Sequence, residues 1–155
     1  LIVFSLIITG FSLFIPSHIR ISKAIDINAP QDSVMNQLAN AANWKKWYPG
    51  ADTSAFFIED GAIKGIQTTE SAGLIITGTT DSTVTAVITG NNTKKGESGW
   101  NLFDAGRPNT VTVQWYMDFH LRWYPWEKFS SLLLEKRYGP VMETGLDKLK
   151  NLLEK

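Results

Sequence analysis

Chemistry in this chain would have to start from its few titratable residues in ordered positions. His120 and Asp118 stand two apart in the run Val111 to Trp123, so a strand would carry both on one face, where they could exchange protons with a ligand. That parity alternates with Val111, Val113, Trp115, Met117, Phe119, Leu121 and Trp123, which must turn inward. The pair is therefore read as a solvated strand face. His18 is the only other histidine, and two histidines with no third ligand nearby do not make a zinc site. Cysteine is absent, which removes disulfides, thiolate nucleophiles and cysteine–zinc sites. Serines are frequent, but none sits in Gly-x-Ser-x-Gly. Glu59, Asp60 and Glu70 fall near strand ends, and Arg107-Pro108 lies in a loop without phosphate-binding glycines. No catalytic residue, metal ligand or cofactor is assigned. The reading leans away from an enzyme without closing the question.

The aromatic and apolar residues carry the stronger signal. Six Trp and eight Phe are many for 155 residues, and so much ring area must be packed or must line something. The candidate ligand-lining set is Trp47, Phe57, Leu74, Ile76, Trp100, Leu102, Trp115, Met117, Phe119, Phe129, Leu133 and Met142. Plain core packing explains any one of them equally well. As a group they point to a largely apolar pocket suited to a lipid, a quinone or a polyketide-like ring system. Fifteen basic and fifteen acidic residues cancel. There is no basic stripe, so nucleic acid is discounted as a partner.

The elements that would position these residues follow in order. Leu1 to Ile15 carries no charge. As a helix it spans about 22 Å against a hydrocarbon core of roughly 30 Å. Because the chain opens on Leu rather than Met, the segment is expected to continue upstream and residues 1–16 to be a single-pass transmembrane anchor, its side unassigned. The rivals are a signal-peptide core, with Ser22-Lys23-Ala24 at a cleavage-like spacing, and a buried core helix. Ile19, Ile21, Ile25 and Ile27 alternate with polar or small residues as a half-buried strand, with Lys23 breaking the inward row. Asn28-Ala29-Pro30 opens a helix with Val34, Met35, Leu38 and Ala42 on one face. Asn43 to Gly50 follows as a second short helix with Trp44 and Trp47 on the same side.

From Asp52 the period becomes two. Runs at 54–59, 66–70, 74–79, 83–89 and 98–104 are separated by Asp60-Gly61, Ala72-Gly73, Asp81 and Gly90-Asn91-Asn92, an antiparallel meander. The last strand, 111–123, is expected to be the longest. Trp126 to Lys155 then reads as one long helix. Met142, Leu146, Leu149 and Leu153 share a face, and Phe129 and Leu133 extend it. Pro140 cannot donate to the Lys136 carbonyl, so a kink or break is expected there, read as a fixed bend in preference to a moving lid. Gly145 would leave space on the inner face or allow close helix–sheet contact. Asn91-Asn92-Thr93 has the form of a glycosylation sequon and is given no weight.

The order strand, two short helices, antiparallel strands and long C-terminal helix is that of a helix-grip α+β fold. The stretch Ile-Ser-Lys-Ala-Ile-Asp-Ile-Asn-Ala-Pro with Asn-Trp-Lys-Lys-Trp-Tyr-Pro resembles the opening of the START/Bet v 1-like (SRPBCC) superfamily, in its polyketide cyclase/dehydrase branch. Tyr-Gly-Pro-Val-Met-Glu-Thr-Gly-Leu-Asp-Lys-Leu-Lys resembles that branch's closing helix. The resemblance covers about residues 19 to 155. It implies a curved antiparallel sheet gripping the long helix, with a hydrophobic cavity between them. It does not select one activity, since such folds host lipid carriers, receptors, cyclases, quinone binders and chaperone activators. Residues 17–155 are thus expected to form a monomeric START/Bet v 1-like domain that binds a hydrophobic small molecule at a membrane. The alternatives are a cyclase or dehydratase and a protein-interaction module.

Overall fold

The alternation from Ile19 to Ile27 and the period-two runs after Asp52 build one seven-stranded antiparallel sheet. The computed structural model describes every residue except Asn92 and Trp123. The strands are β1 (His18–Ile27), β2 (Ala55–Glu59), β3 (Ala62–Thr69), β4 (Ala72–Thr79), β5 (Thr83–Gly90), β6 (Thr93–Asp104) and β7 (Val111–His120). Their order is β1-β7-β6-β5-β4-β3-β2, so the first strand closes on the last. The helices are α1 (Ile2–Leu13), α2 (Gln31–Ala39), α3 (Pro125–Ser131) and α4 (Leu134–Leu153), with a 3-10 helix at Ala41–Lys46 after α2. This is the helix-grip α+β fold: a curved sheet with α4 across its concave face.

The registers sort the side chains by face. Ile21 pairs with Met117, Met117 with Ser98, Ser98 with Ala86 and Ala86 with Ile76. One row away lie Ile19, Phe119, Gly96, Ile88, Leu74 and Ile66. On the other side, Lys23, Trp115, Trp100 and Val84 form a third row. All three rows face α4. From the helix side, Met142, Gly145, Leu146 and Leu149 are buried against them, as the helical spacing predicts.

Lys23 is accommodated in the inward row rather than at the sheet's end. Its Cε lies 3.3 Å from where a Cβ on Gly139 would stand, and its Nζ reaches Glu143 at 3.2 Å and Glu135 at 3.4 Å. A residue without a side chain at 139 lets the lysine stem pass beneath α4 to acids one turn either way.

Several expectations are corrected. The closing segment is two helices, interrupted at Leu132 and Leu133. Pro140 sits inside α4, which runs through it. Lys136 and Pro140 are exposed, so the carbonyl left without an N–H partner is on the water side. The longest strand is β6, because β7 ends at His120; Trp123, assigned to its inward row, lies outside the described residues, as does Asn92 of the sequon. Phe57 pairs with Gly65 and points to the convex side, and its neighbour Phe56, paired with Ile66, faces the core. Phe129 and Leu133 are 41% and 63% exposed, so neither lines the interior. Asp118 is not on a solvated face: it is 5% exposed. No helix among the described residues is long and apolar enough to cross a membrane. α1 has 12 residues, about 18 Å.

Candidate functional site

The interior beneath α4 is an aromatic wall built from three places. The 3-10 helix and the residue after it bring Trp44 and Trp47, and Tyr48 follows. Trp100 and Trp115 are direct register partners on β6 and β7. Trp44, Trp47, Trp100 and Trp115 are all fully buried. Trp100 lies 5.5 Å from both Trp44 and Trp115 between ring centroids, and Trp47 meets Trp100 edge-on at 5.8 Å and 83°. Tyr48 lies 5.2 Å from Trp115. These are contact distances for aromatic pairs, so the rings fill the space between one another. Gly145 of α4 closes the wall from above: a Cβ there would stand 2.7 Å from Trp115 Cζ3.

The indole N–H groups of this wall are satisfied, with one exception. Trp44 Nε1 donates to the Leu38 carbonyl at 2.9 Å and Trp47 Nε1 to the Gln37 carbonyl at 3.4 Å. Trp115 Nε1 donates to Ser98 Oγ at 2.9 Å, and that hydroxyl donates on to the Tyr116 carbonyl at 3.2 Å. Trp100 Nε1 is buried and has no acceptor among the described residues. A buried donor without a partner costs about 1–3 kcal/mol, so it calls for an explanation. Beside it, burial pushes the Tyr48 phenol up beyond the ordinary tyrosine range, with the Tyr138 phenol adding to the shift. Tyr48 therefore stays protonated and offers a hydroxyl donor.

Beside the wall the concave face is lined by small residues, all buried. Ala86, Gly96 and Ser98 put three small residues side by side on β5 and β6. Around them stand Ile76, Ile88, Met117, Phe119 and, from α4, Tyr138, whose ring lies 5.2 Å from Phe119. Met117 is buried, while Ile76, Ile88, Phe119 and Tyr138 are half-buried and pack on the core.

Of the expected lining residues, the fold brings Trp47, Trp100, Trp115, Met117 and Met142 together with Leu74, Ile76 and Phe119 on the concave side. Leu102 is buried one row further along the same face. Phe57 goes to a convex depression of about 180 Å³ with Gln67, Ile75 and Thr89. Phe129 and Leu133 point away. Tyr48 and Tyr138 were missed. Tyr138 stands one helical turn before Met142, so the face that predicts Met142 extends to it.

His120 and Asp118 belong to a convex-face cluster, across the sheet from this site. Asp118 accepts two hydrogen bonds from Arg20, Nε to Oδ1 and Nη2 to Oδ2, both 2.7 Å. The Arg20 guanidinium also lies 4.5 Å over the Tyr116 ring. His18 and His120 stack at 4.7 Å, and His18 Nε2 is 3.8 Å from Asp118 Oδ1. The Arg20 hydrogen bonds hold the Asp118 carboxyl below the usual carboxylate range. This cluster rivets β1 to β7. Among the described residues no three His, Asp or Glu side chains are placed to hold a metal ion.

Comparison with known proteins gives a family and a fold. Residues 18–154 match the model of the family described as polyketide cyclase / dehydrase and lipid transport. No curated protein matches. A START superfamily protein from Mycobacterium smegmatis superposes with a TM-score of 0.62 at 12% identity, covering 87% of this chain and 97% of the other. The Zhui aromatase/cyclase from Streptomyces sp. R1128 gives 0.62 at 12% identity, covering 88% and 94%. A protein from Nitrosospira multiformis gives 0.65 at 10% identity, covering 87% and 96%. Identities this low speak for the fold alone. The match over nearly the whole chain, on a sheet that grips a long helix, places this protein in the polyketide cyclase/dehydrase and lipid-transport family.

Proposed function

We propose that residues 17–155 act as a monomeric binding unit for a hydrophobic small molecule that carries a hydrogen-bond acceptor, such as a carbonyl oxygen. The ligand would enter past the half-buried Ile76, Ile88, Phe119 and Tyr138, part them, and settle over the buried Ala86, Gly96 and Ser98 against the edge of the tryptophan wall. The observation that supports this is the buried Trp100 N–H without an acceptor. Its neighbours Trp44, Trp47 and Trp115 each have one. A lipid, a quinone or a polyketide-like ring system offers both the apolar body and the oxygen. The cyclase or dehydratase alternative finds its histidine–aspartate pair on the convex side.

The test is native mass spectrometry of the chain purified gently from its host, followed by displacement of an apolar fluorescent probe. A reproducible added mass that is lost on denaturation supports the reading, and its identity names the ligand class. Trp100→Phe keeps a ring and removes the donor, so affinity for the recovered ligand should drop roughly 5- to 100-fold. A clean mass together with no probe binding would refute the proposal.

A further inference from the structure

α1 carries no charged residue, and its apolar side chains are turned outward. Ile2, Phe4, Leu6, Phe11 and Leu13 are each well over half exposed. Ser5, Thr9 and Ser12 form one stripe at i, i+4 and i+7, and the exposed side opposite is apolar, the arrangement of a helix that lies with one face in an apolar medium. Only one side is covered, by α3. There Lys128, 7% exposed, donates its Nζ to the Ser12 carbonyl at 2.9 Å. That carbonyl belongs to the last turn of α1, where a cation is favoured, and it also accepts from the Ile15 N–H at 3.3 Å. The bond makes α1 and α3 one unit. α3 and the residues after it add Trp126, Phe129, Leu132 and Leu133, all exposed. Tyr124 and Trp126 stack at 4.9 Å and 10°, and together with Phe4 and Ile8 they line a cleft of about 420 Å³ between the two helices.

The charges beside this unit indicate what covers it. β1 starts at His18, just after α1, and β7 ends at His120, just before α3. At that end of the sheet Lys94, Lys95 and His120 line a hollow of about 330 Å³, and the exposed Arg122 follows His120 along the chain. Glu97 pairs with Lys94 and Asp118 with Arg20, and Glu127 accepts from the backbone N–H of Arg122, which leaves Lys95 and Arg122 as the cations without an ion-pair partner among the described residues of this end. An apolar pair of helices with stacked aromatics at its base and cations beyond is complementary to an anionic phospholipid surface.

We propose that α1 and the apolar face of α3 insert together into the surface of an anionic bilayer, with Lys95 and Arg122 at headgroup level. The inference is independent of any ligand on the concave face.

The experiment mixes the full chain with phosphatidylcholine vesicles, with or without phosphatidylglycerol, and reads co-sedimentation at low and high salt. Quenching of Trp126 by brominated acyl chains, measured as the difference from Trp126→Phe, reports its depth. The chain should prefer the anionic vesicles. The double variant Leu132→Ser, Leu133→Ser, confined to exposed positions, should weaken binding by about tenfold or more. Lys95→Gln with Arg122→Gln should cost about fivefold per cation and flatten the salt dependence. Unquenched Trp126 with no effect of the leucine changes would mean that α3 does not touch lipid, and the proposal falls. A self-associated chain that ignores both kinds of vesicle would show the helices covered by a second copy, which also overturns it.

Discussion

Gly139 and Gly145 stand six residues apart on α4, and the same substitution should move stability in opposite directions. Alanine in a helix interior is favoured over glycine by about 1 kcal/mol, and both positions would gain this. The difference lies beneath them. At 145 the new methyl would meet Trp115 Cζ3 at 2.7 Å and Pro49 Cδ at 2.9 Å. Trp115 is 0% exposed and is held by Trp47, Trp100, Tyr48 and the Ser98 hydroxyl, so its ring has nowhere to go. Overpacking of this kind costs about 1–3 kcal/mol and should exceed the helical gain. At 139 the nearest atom is Lys23 Cε at 3.3 Å, on a flexible stem whose ion pairs with Glu135 and Glu143 are largely exposed on the acid side. Moving that stem costs little. Gly139→Ala should be neutral to about 1 kcal/mol more stable and Gly145→Ala about 1 kcal/mol or more less stable. For a chain of this size each kcal/mol is about 2–4 °C in Tm. Paired urea and thermal melts decide it. Equal stabilisation by both alanines would refute the view that α4 rests directly on the tryptophan wall.

Two further outcomes follow from hydrogen bonds inside and outside the sheet. Ser98→Ala removes the acceptor of the Trp115 indole in a fully buried place and should lower stability by about 1–3 kcal/mol in denaturant titrations; an unchanged midpoint would mean that another acceptor takes over. The Asp118 carboxyl is held below its ordinary value by Arg20, so its contribution is present above the unfolded-state value near ~4 and is lost as pH falls through the folded one. Stability should thus decline on acidification below about pH 4, and Asp118→Asn should be less stable at neutral pH with a shallower acid limb. Identical pH profiles for the two proteins would contradict this.

How much of this was legible depends on whether the signal was local. Met142, Leu146 and Leu149 announce the buried face of α4 by spacing alone, and the odd positions of β7 announce the concave side of the sheet. Lys23 breaks the apolar row of β1, and its partners Glu135 and Glu143 lie on a helix more than a hundred residues later. Phe56 and Phe57 are adjacent and chemically alike. Which of them turns inward is set by the pairing of β2 with β3, where the register shifts between Phe57 and Ile58. The break at Leu132 and Leu133 falls in Ser-Ser-Leu-Leu-Leu, with no glycine or proline to mark it, while Pro140, the conspicuous breaker, is absorbed on the exposed side of α4. Asp118 looked solvated because its cover comes from β1: Arg20 is 98 residues away in sequence. The tryptophans could be named in advance as a group, but not the one whose N–H is left without an acceptor.

The pairing of β1 with β7 also sets a schedule for the growing chain. Arg20 meets Asp118 across 98 residues, so at roughly 5–20 residues per second of synthesis the first strand waits about 5–20 s for its partner. Until then its apolar face and a row of backbone donors and acceptors stand open. β2 to β6 can zip from neighbour to neighbour meanwhile, each hairpin needing only a short turn, and α4 arrives last to close over them. The slow step of folding should therefore be the docking of the chain's opening strand, and substitutions in β1 should act on the folding rate through that late, long-range closure.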